Sequence, residues 1–257
     1  MSGANRTKQQ DRRRKRQLIG ETQLAEDKKK EFENDLTLDW FMPVGLQIDC
    51  VNSFEKNSFS VVDGVSGCGK TSVALWWALN KIKTDRSYHK LIFIKNPTEV
   101  GDDQIGFLSG DENDKLMAHM DTTKRIFQGF VSKNKLENDI SKDRIRLTIP
   151  NFLLGTTFDN SIIIIDECQT MSPKTIKLLT ERCGKNSKYI LLGDGGQRYS
   201  VKSRADGFSD FIERVTVTHQ GVRWSKHEPY VGYVKMNAED NQRSSESAFI
   251  NRIYEDF

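Results

Sequence analysis

The stretch Val61-Val62-Asp63-Gly64-Val65-Ser66-Gly67-Cys68-Gly69-Lys70-Thr71-Ser72-Val73 decides the fold. Phe59 to Asp63 reads as a short buried strand and Lys70 to Lys83 as a helix, which puts a glycine-rich turn between them. Gly64 to Thr71 satisfies G-x-x-x-x-G-K-[ST]. Glycines let a backbone curl until its N–H groups converge on one point, and the N-terminus of the next helix adds partial positive charge. A polyphosphate fits such a concavity. The candidate binding residues are therefore Gly64, Val65, Ser66, Gly67, Cys68, Gly69, Lys70, Thr71 and Ser72, with Lys70 on the β- and γ-phosphates and Thr71 on Mg²⁺.

Further along, four β-branched residues, Ile162 to Ile165, read as a central strand covered on both faces, and they run straight into Asp166-Glu167-Cys168-Gln169. A carboxylate at the carboxyl end of a central parallel strand points into the crevice where such sheets bind ligands. Asp166 is the candidate partner of the Mg²⁺ shell, and Glu167 the candidate base for an attacking water. The next apolar run, Tyr189 to Leu192, ends in Gly193-Asp194-Gly195-Gly196-Gln197. That sequence is good turn chemistry. It also places the amide of Gln197 where it can sense a γ-phosphate and its attacking water.

Other segments extend the alternation of strand and helix. Leu91 to Lys95 reads as a strand, Asn96 to Asp111 as a long loop, Lys115 to Leu136 as one or two helices, and Arg144 to Ile149 as a half-buried strand. Pro173 opens a helix to about Arg182. Beyond Asp194 the pattern weakens through Phe208 to Ile212, Val215 to Thr218 and Tyr230 to Val234, and a last helix spans about Ser245 to Tyr254. The expected architecture is a single α/β domain, residues 36–257, around a mostly parallel sheet. Trp76-Trp77, on the helix after the turn, reads as core packing.

Composition narrows the class. No run approaches the ~20 apolar residues of a membrane span. The polar, basic N-terminus lacks the apolar core of a signal peptide. Cys50, Cys68, Cys168 and Cys183 are scattered without a CxxC pair, which argues against a zinc site or a disulfide framework and for a reducing cytoplasm. The net charge of +3 hides an asymmetry. Residues 1–30 hold ten Lys/Arg against four Asp/Glu, leaving 29 against 32 for residues 31–257. Residues 1–35 thus read as a basic extension, either a solvated tail or an attractant for nucleic-acid phosphates.

Taken together, the glycine-rich turn, Ile94-Lys95-Asn96-Pro97, Gly106-Phe107-Leu108-Ser109-Gly110-Asp111, Ile165-Asp166-Glu167-Cys168-Gln169, Thr180-Glu181-Arg182-Cys183-Gly184 and Gly193-Asp194-Gly195-Gly196-Gln197 resemble PhoH-like proteins. These are single-domain P-loop ATPases related to superfamily one helicases, found in bacteria and often in bacteriophages. The resemblance covers about residues 40 to 257. It implies a RecA-like fold, ATP and Mg²⁺ as cofactors, a ring-shaped homo-oligomer such as a hexamer, and action on single-stranded RNA or DNA. If the chain is phage-encoded, its compartment is the host cytoplasm. The resemblance further makes Gln47 a candidate adenine reader, placed before the helix that precedes the first strand. Arg243, in Asp240-Asn241-Gln242-Arg243, becomes the leading candidate arginine finger, with Arg182 second; both also read as surface or ion-pair arginines. Asn96 stands where the family pattern has Arg before Pro97, and Leu154-Gly155 replaces an Arg-Gly pair. A chain with one such lobe needs a neighbouring subunit to turn ATP hydrolysis into motion. The alternative reading is an ATP-switched RNA- or protein-binding module that unwinds nothing.

Overall fold

A computed structural model describes residues 36–96, 123–153, 155–196 and 206–253. The chain divides into units of residues 1–36 and 37–257, and the fold described here belongs to the second. The expected basic extension, most of the long loop after Asn96, and Gln197 lie outside the described residues.

Helix α1 (Leu46–Lys56) leads into β1 (Phe59–Gly64) and α2 (Lys70–Thr84), and β2 (Lys90–Lys95) follows. After α3 (Lys133–Ser141) come β3 (Ile145–Thr148), β4 (Ser161–Asp166), α4 (Pro173–Thr180), β5 (Lys188–Gly193) and α5 (Gly207–Val215). The hairpin β6 (Thr216–His219) and β7 (Val222–Ser225) precedes β8 (Val231–Met236) and α6 (Ser245–Ile253). Six strands form one sheet in the order β3-β2-β4-β5-β1-β8, with every neighbouring pair parallel.

This order follows from burial. β4 is buried at every position, as four consecutive isoleucines require. Ile163 and Ile165 face a layer that includes Ile176 and Leu179 of α4 and Phe208 and Ile212 of α5. Ile162 and Ile164 alternate to the opposite face, where α2 lies over β2, β4 and β5. Trp77 of α2 is buried and donates to Glu55, while Trp76 donates to the Leu38 carbonyl. Both indoles therefore serve packing.

Differences from the sequence reading lie in the polar segments. Of the one or two helices expected over Lys115 to Leu136, the described part holds a helical segment at 123–127 and a separate helix, α3, that runs past Leu136 to Ser141. Ser132 opens it by accepting from the Lys135 N–H, and its polar sequence carries little apolar periodicity. Its buried Asp139 pairs with Lys135 and with Arg144 at 2.6 Å, which ties α3 to the edge strand β3. The weak signal around Phe208 proves to be a nine-residue helix capped by Asp206.

α5 is seated against the turn that follows β4. The Gly207 N–H donates to the Met171 carbonyl at 2.9 Å, and a β-carbon on Gly207 would stand 2.5 Å from the Ser172 carbonyl carbon. Backbone cannot yield as a side chain does. Gly207→Ala is therefore expected to lower stability by about 2–3 kcal/mol, measured by urea unfolding; an unchanged midpoint would contradict this seating.

Candidate nucleotide site

All strands of the sheet point their carboxyl ends the same way, so the segments after β1, β4 and β5 converge on one edge. Between β1 and α2, Gly67 and Gly69 adopt φ of 90° and 79°, a region that side chains with a β-carbon rarely enter. A β-carbon on Gly69 would also lie 2.6 Å from the Gln47 amide nitrogen. Curling the N–H groups inward turns carbonyls outward, and each of these has a partner. Lys70 donates to the Gly64 and Val65 carbonyls at 2.6 and 2.9 Å. Asn241 and Asn251 donate to Ser66, the Gln242 N–H to Gly67, and the Gln47 amide to Cys68.

Gln47 therefore sits in the first turn of α1, not ahead of it, and it is buried. Its oxygen accepts from the Val44 N–H at 3.2 Å, so both ends of the amide are bonded to this chain's own backbone. In this arrangement it braces the loop from beneath.

Thr71, in the first turn of α2, donates to Asp166 at 3.2 Å across 95 residues of sequence. Asp166 is almost fully buried, with the Lys95 ammonium 3.9 Å away. Burial, reinforced by the adjacent Glu167 charge, pushes its carboxyl up to about 6. A hydroxyl and one carboxylate side by side beneath a phosphate loop fit Mg²⁺, which takes few protein ligands and keeps phosphate and water oxygens. The donor set thus suits both the nucleotide and the ion.

Glu167 stands at φ 56°, a left-handed conformation uncommon for a residue with a β-carbon. Gln169 donates to the Glu167 carboxylate at 2.8 Å and accepts from the Asp194 N–H at 3.2 Å. One amide therefore joins the candidate base to the turn after β5. In that turn, the Gly195 N–H donates to Asp63 at 3.0 Å. Asp63 also accepts from the Tyr233 hydroxyl and the Lys235 ammonium, each at 3.0 Å. Asn96, in place of the expected arginine, donates to the Thr170 carbonyl and so ties the end of β2 to the turn after Glu167.

The two candidate arginines part company. Arg243 is exposed, and its N–H donates to Asn241, whose amide holds Ser66 of the loop. Arg182 lies at the opposite end of the sheet. Its carbonyl accepts from the Phe158 N–H ahead of β4, and its charge acts on Tyr189 at the start of β5. At ~3.3 Å per strand residue, four residues from Tyr189 to Gly193 put it more than about 10 Å below the site edge. This geometry removes Arg182 from its own chain's nucleotide.

Sequence reasoning missed the bracing residues Asp63, Gln169, Asn241 and Asn251. Asp63, Gln169 and Asn241 each lay within a stretch already singled out for another residue, whereas Asn251, on the C-terminal helix, carries no such signal.

The fold and its site define a P-loop nucleoside triphosphatase of RecA-like architecture. The profile of the PhoH-like protein family matches residues 45–255, and the chain belongs to that family. It is 26% identical to "Protein PhoH" of Escherichia coli K12 over 206 residues, covering 77% of this chain and 53% of that one. Identity with the "PhoH-like protein" of Bacillus subtilis 168 is 26% over 151 residues, 59% of this chain and 47% of the other. "Protein PhoH2" of Thermobispora bispora is 24% identical over 155 residues, 60% of this chain and 36% of its own length. The chain thus spans about a third to a half of these relatives. Among solved structures, the large terminase ATPase domain of Thermus phage P74-26 aligns with a TM-score of 0.46 at 14% identity, over 84% of this chain and 87% of that one. The Pyrococcus furiosus Hef helicase domain aligns with a TM-score of 0.45 at 15% identity, over 78% and 39%.

A carboxyl raised from 3.8 to about 6 is held preferentially neutral by the fold. Its contribution is fully present below about pH 4 and declines as pH rises through 6, by up to about 3 kcal/mol. In the absence of divalent cations, Asp166→Asn should therefore stabilise the protein at pH 7 and lose that part of the decline. Urea midpoints measured from pH 4 to 7 in chelator test this; parallel curves for the two proteins would refute it.

Proposed function

We propose that this chain is a Mg²⁺-dependent ATP hydrolase that acts on single-stranded RNA or DNA as an oligomeric translocase or helicase, in the cytoplasm. The observation that carries the hydrolase reading is the bond from Thr71 to Asp166, with Glu167 next in sequence and fixed by Gln169. Magnesium and ATP, when bound, supply an activated phosphoryl group and charge neutralisation. Gly64 to Ser72 cradle the phosphates, with Lys70 exchanging its carbonyl partners for phosphate oxygens. Thr71 and Asp166 hold the ion. Glu167 takes a proton from the attacking water, oriented by the Gln169 amide. Gln197, the residue that follows Gly196 in sequence, is the proposed reader of the γ-phosphate, and Gln47 supports the base end of the site.

Arg243, exposed beside the loop, is the proposed arginine finger, serving its own site or a neighbour's. One RecA-like lobe presents one side of an ATP cleft, and a neighbouring lobe in a ring would supply the other. The described residues include no helix long and apolar enough to cross a membrane. The ten basic residues among the first thirty supply a nucleic-acid attraction that weakens with salt.

Two substitutions separate binding from chemistry. Lys70→Ala removes a charged phosphate partner and should weaken ATP binding by about tenfold or more. Glu167→Gln removes only the base, so ATP should bind and persist while turnover falls by about 10²–10⁴. Fluorescent-nucleotide binding and phosphate release measure the two quantities, and near-normal turnover in both variants would sink the reading.

Subunit mixing tests the arginine. Lys70→Ala and Arg243→Ala proteins should each be nearly inactive alone, and mixing should restore part of the turnover if Arg243 acts across a subunit boundary. Full activity of Arg243→Ala alone would remove it from the mechanism.

A further inference from the structure

The hairpin β6–β7 is the part of the fold that the nucleotide site leaves unexplained. Gln220 and Gly221 at its tip have φ of 50° and 77°, the two left-handed residues of a type I′ turn. The register pairs Val217 with Trp224, Thr218 with Arg223, and His219 with Val222. Opposed residues share a face, so Val217, His219, Val222 and Trp224 line one side of the ribbon and Thr218 and Arg223 the other.

The first side is open, with Trp224 60% and Val217 and Val222 about half exposed. The second is tied to the ATP site. Arg223 lies near the Tyr233 hydroxyl, which donates to Asp63 at 3.0 Å, and Asp63 accepts from Gly195 in the turn after β5. The root is fixed as well: the Thr216 hydroxyl donates to the Ile212 carbonyl, and the Lys226 N–H to Val215.

Charge and area decide what the open side fits. Residues 213–228 hold Arg214, Arg223 and Lys226 against Glu213 and Glu228, and Arg214 is paired with Asp210 at 2.8 Å, so the cation that follows Trp224 in sequence is Lys226. Four side chains on two strands offer on the order of 400 Å², about half the ~800 Å² per partner of a stable protein interface. An exposed flat indole with an ammonium two residues further on suits single-stranded nucleic acid, because every base has a face to stack and a phosphate to neutralise.

We infer that the β6–β7 ribbon is a single-stranded nucleic-acid contact in which Trp224 stacks on a base and Lys226 meets the backbone. Arg223 acts as a positioning residue that couples this contact, through Tyr233 and Asp63, to the nucleotide site. The inference rests on the nucleic-acid reading above and adds the contact surface and its route to the ATP site.

The test uses the full chain and fluorescein-labelled oligouridylate and oligothymidylate, read by anisotropy and by ATP turnover. Trp224→Ala should lose about 5- to 100-fold in affinity, the worth of one stacked base, and Trp224→Phe should regain most of it. Tyr233→Phe, which keeps the ring but cuts the link to Asp63, should bind the oligonucleotide nearly as the parent does and lose its stimulation of ATP turnover. A parent protein with no affinity for either oligonucleotide would defeat the single-strand reading itself, and this inference with it. Parent-like affinity in Trp224→Ala would overturn this inference alone. Unchanged affinity with a smaller assembly mass in Trp224→Ala would also overturn it and mark the ribbon as a contact between subunits.

Discussion

The hydroxyl of Thr71 and the carboxylate of Asp166 meet at 3.2 Å, and the rest of the arrangement can be read as what that meeting requires. One residue starts a helix and the other ends a strand 95 positions later. They come together because β4 and β1 lie in one parallel sheet with β5 between them. Placing a carboxylate there is costly to the fold. Asp166 is buried, Glu167 adds a like charge, and the carboxyl responds by holding its proton more tightly. A magnesium ion held by Thr71 and Asp166 would offset the same penalty, so burial of the carboxylate would favour the ion over the proton.

The legible part of this chain is the part whose chemistry is local or whose burial is complete. Strands β1, β2, β4 and β5 stood out because apolar runs covered on both faces have no other reading, and the phosphate loop because glycine, lysine and threonine act within eight residues. α3 did not stand out, since its helix rests on a Ser132 cap and a buried Asp139 ion pair and carries little apolar periodicity. Gln47 was legible as a residue of the site, yet its committed amide was not, because the partner carbonyl of Cys68 is 21 residues away. Arg182 shows the reverse case: its motif drew attention to it, but α4 runs back down the sheet and carries it away from its own chain's site edge.

Carbonyls on the outside of the phosphate loop explain why so much of the chain after β5 is needed. A backbone that turns its N–H groups toward a ligand must expose its oxygens on the other side, and buried oxygens need donors. Gln47 serves Cys68 from α1, while Asn241, Gln242 and Asn251 serve Ser66 and Gly67 from the segment after β8. Gly64 and Val65 are served by Lys70 alone among charged groups. Val65 keeps the Cys68 thiol as a donor at 3.0 Å when phosphate draws the ammonium away, and the outer brace stays in place.

The same strand links that brace to the base of the loop. β8 pairs with β1 along its length, places Tyr233 and Lys235 on Asp63 immediately before Gly64, and then feeds the segment that holds Ser66 and Gly67. Asp63 accepts simultaneously from Gly195, so any movement of the turn after β5 is felt at a carboxylate that β8 also holds. Arg223 of the exposed hairpin lies near Tyr233, which brings the hairpin up to this set. Hydrogen bonds of fixed direction transmit displacement better than apolar contacts, which slide. The edge strand β8 is thus the element that the loop, the turn after β5 and the hairpin share.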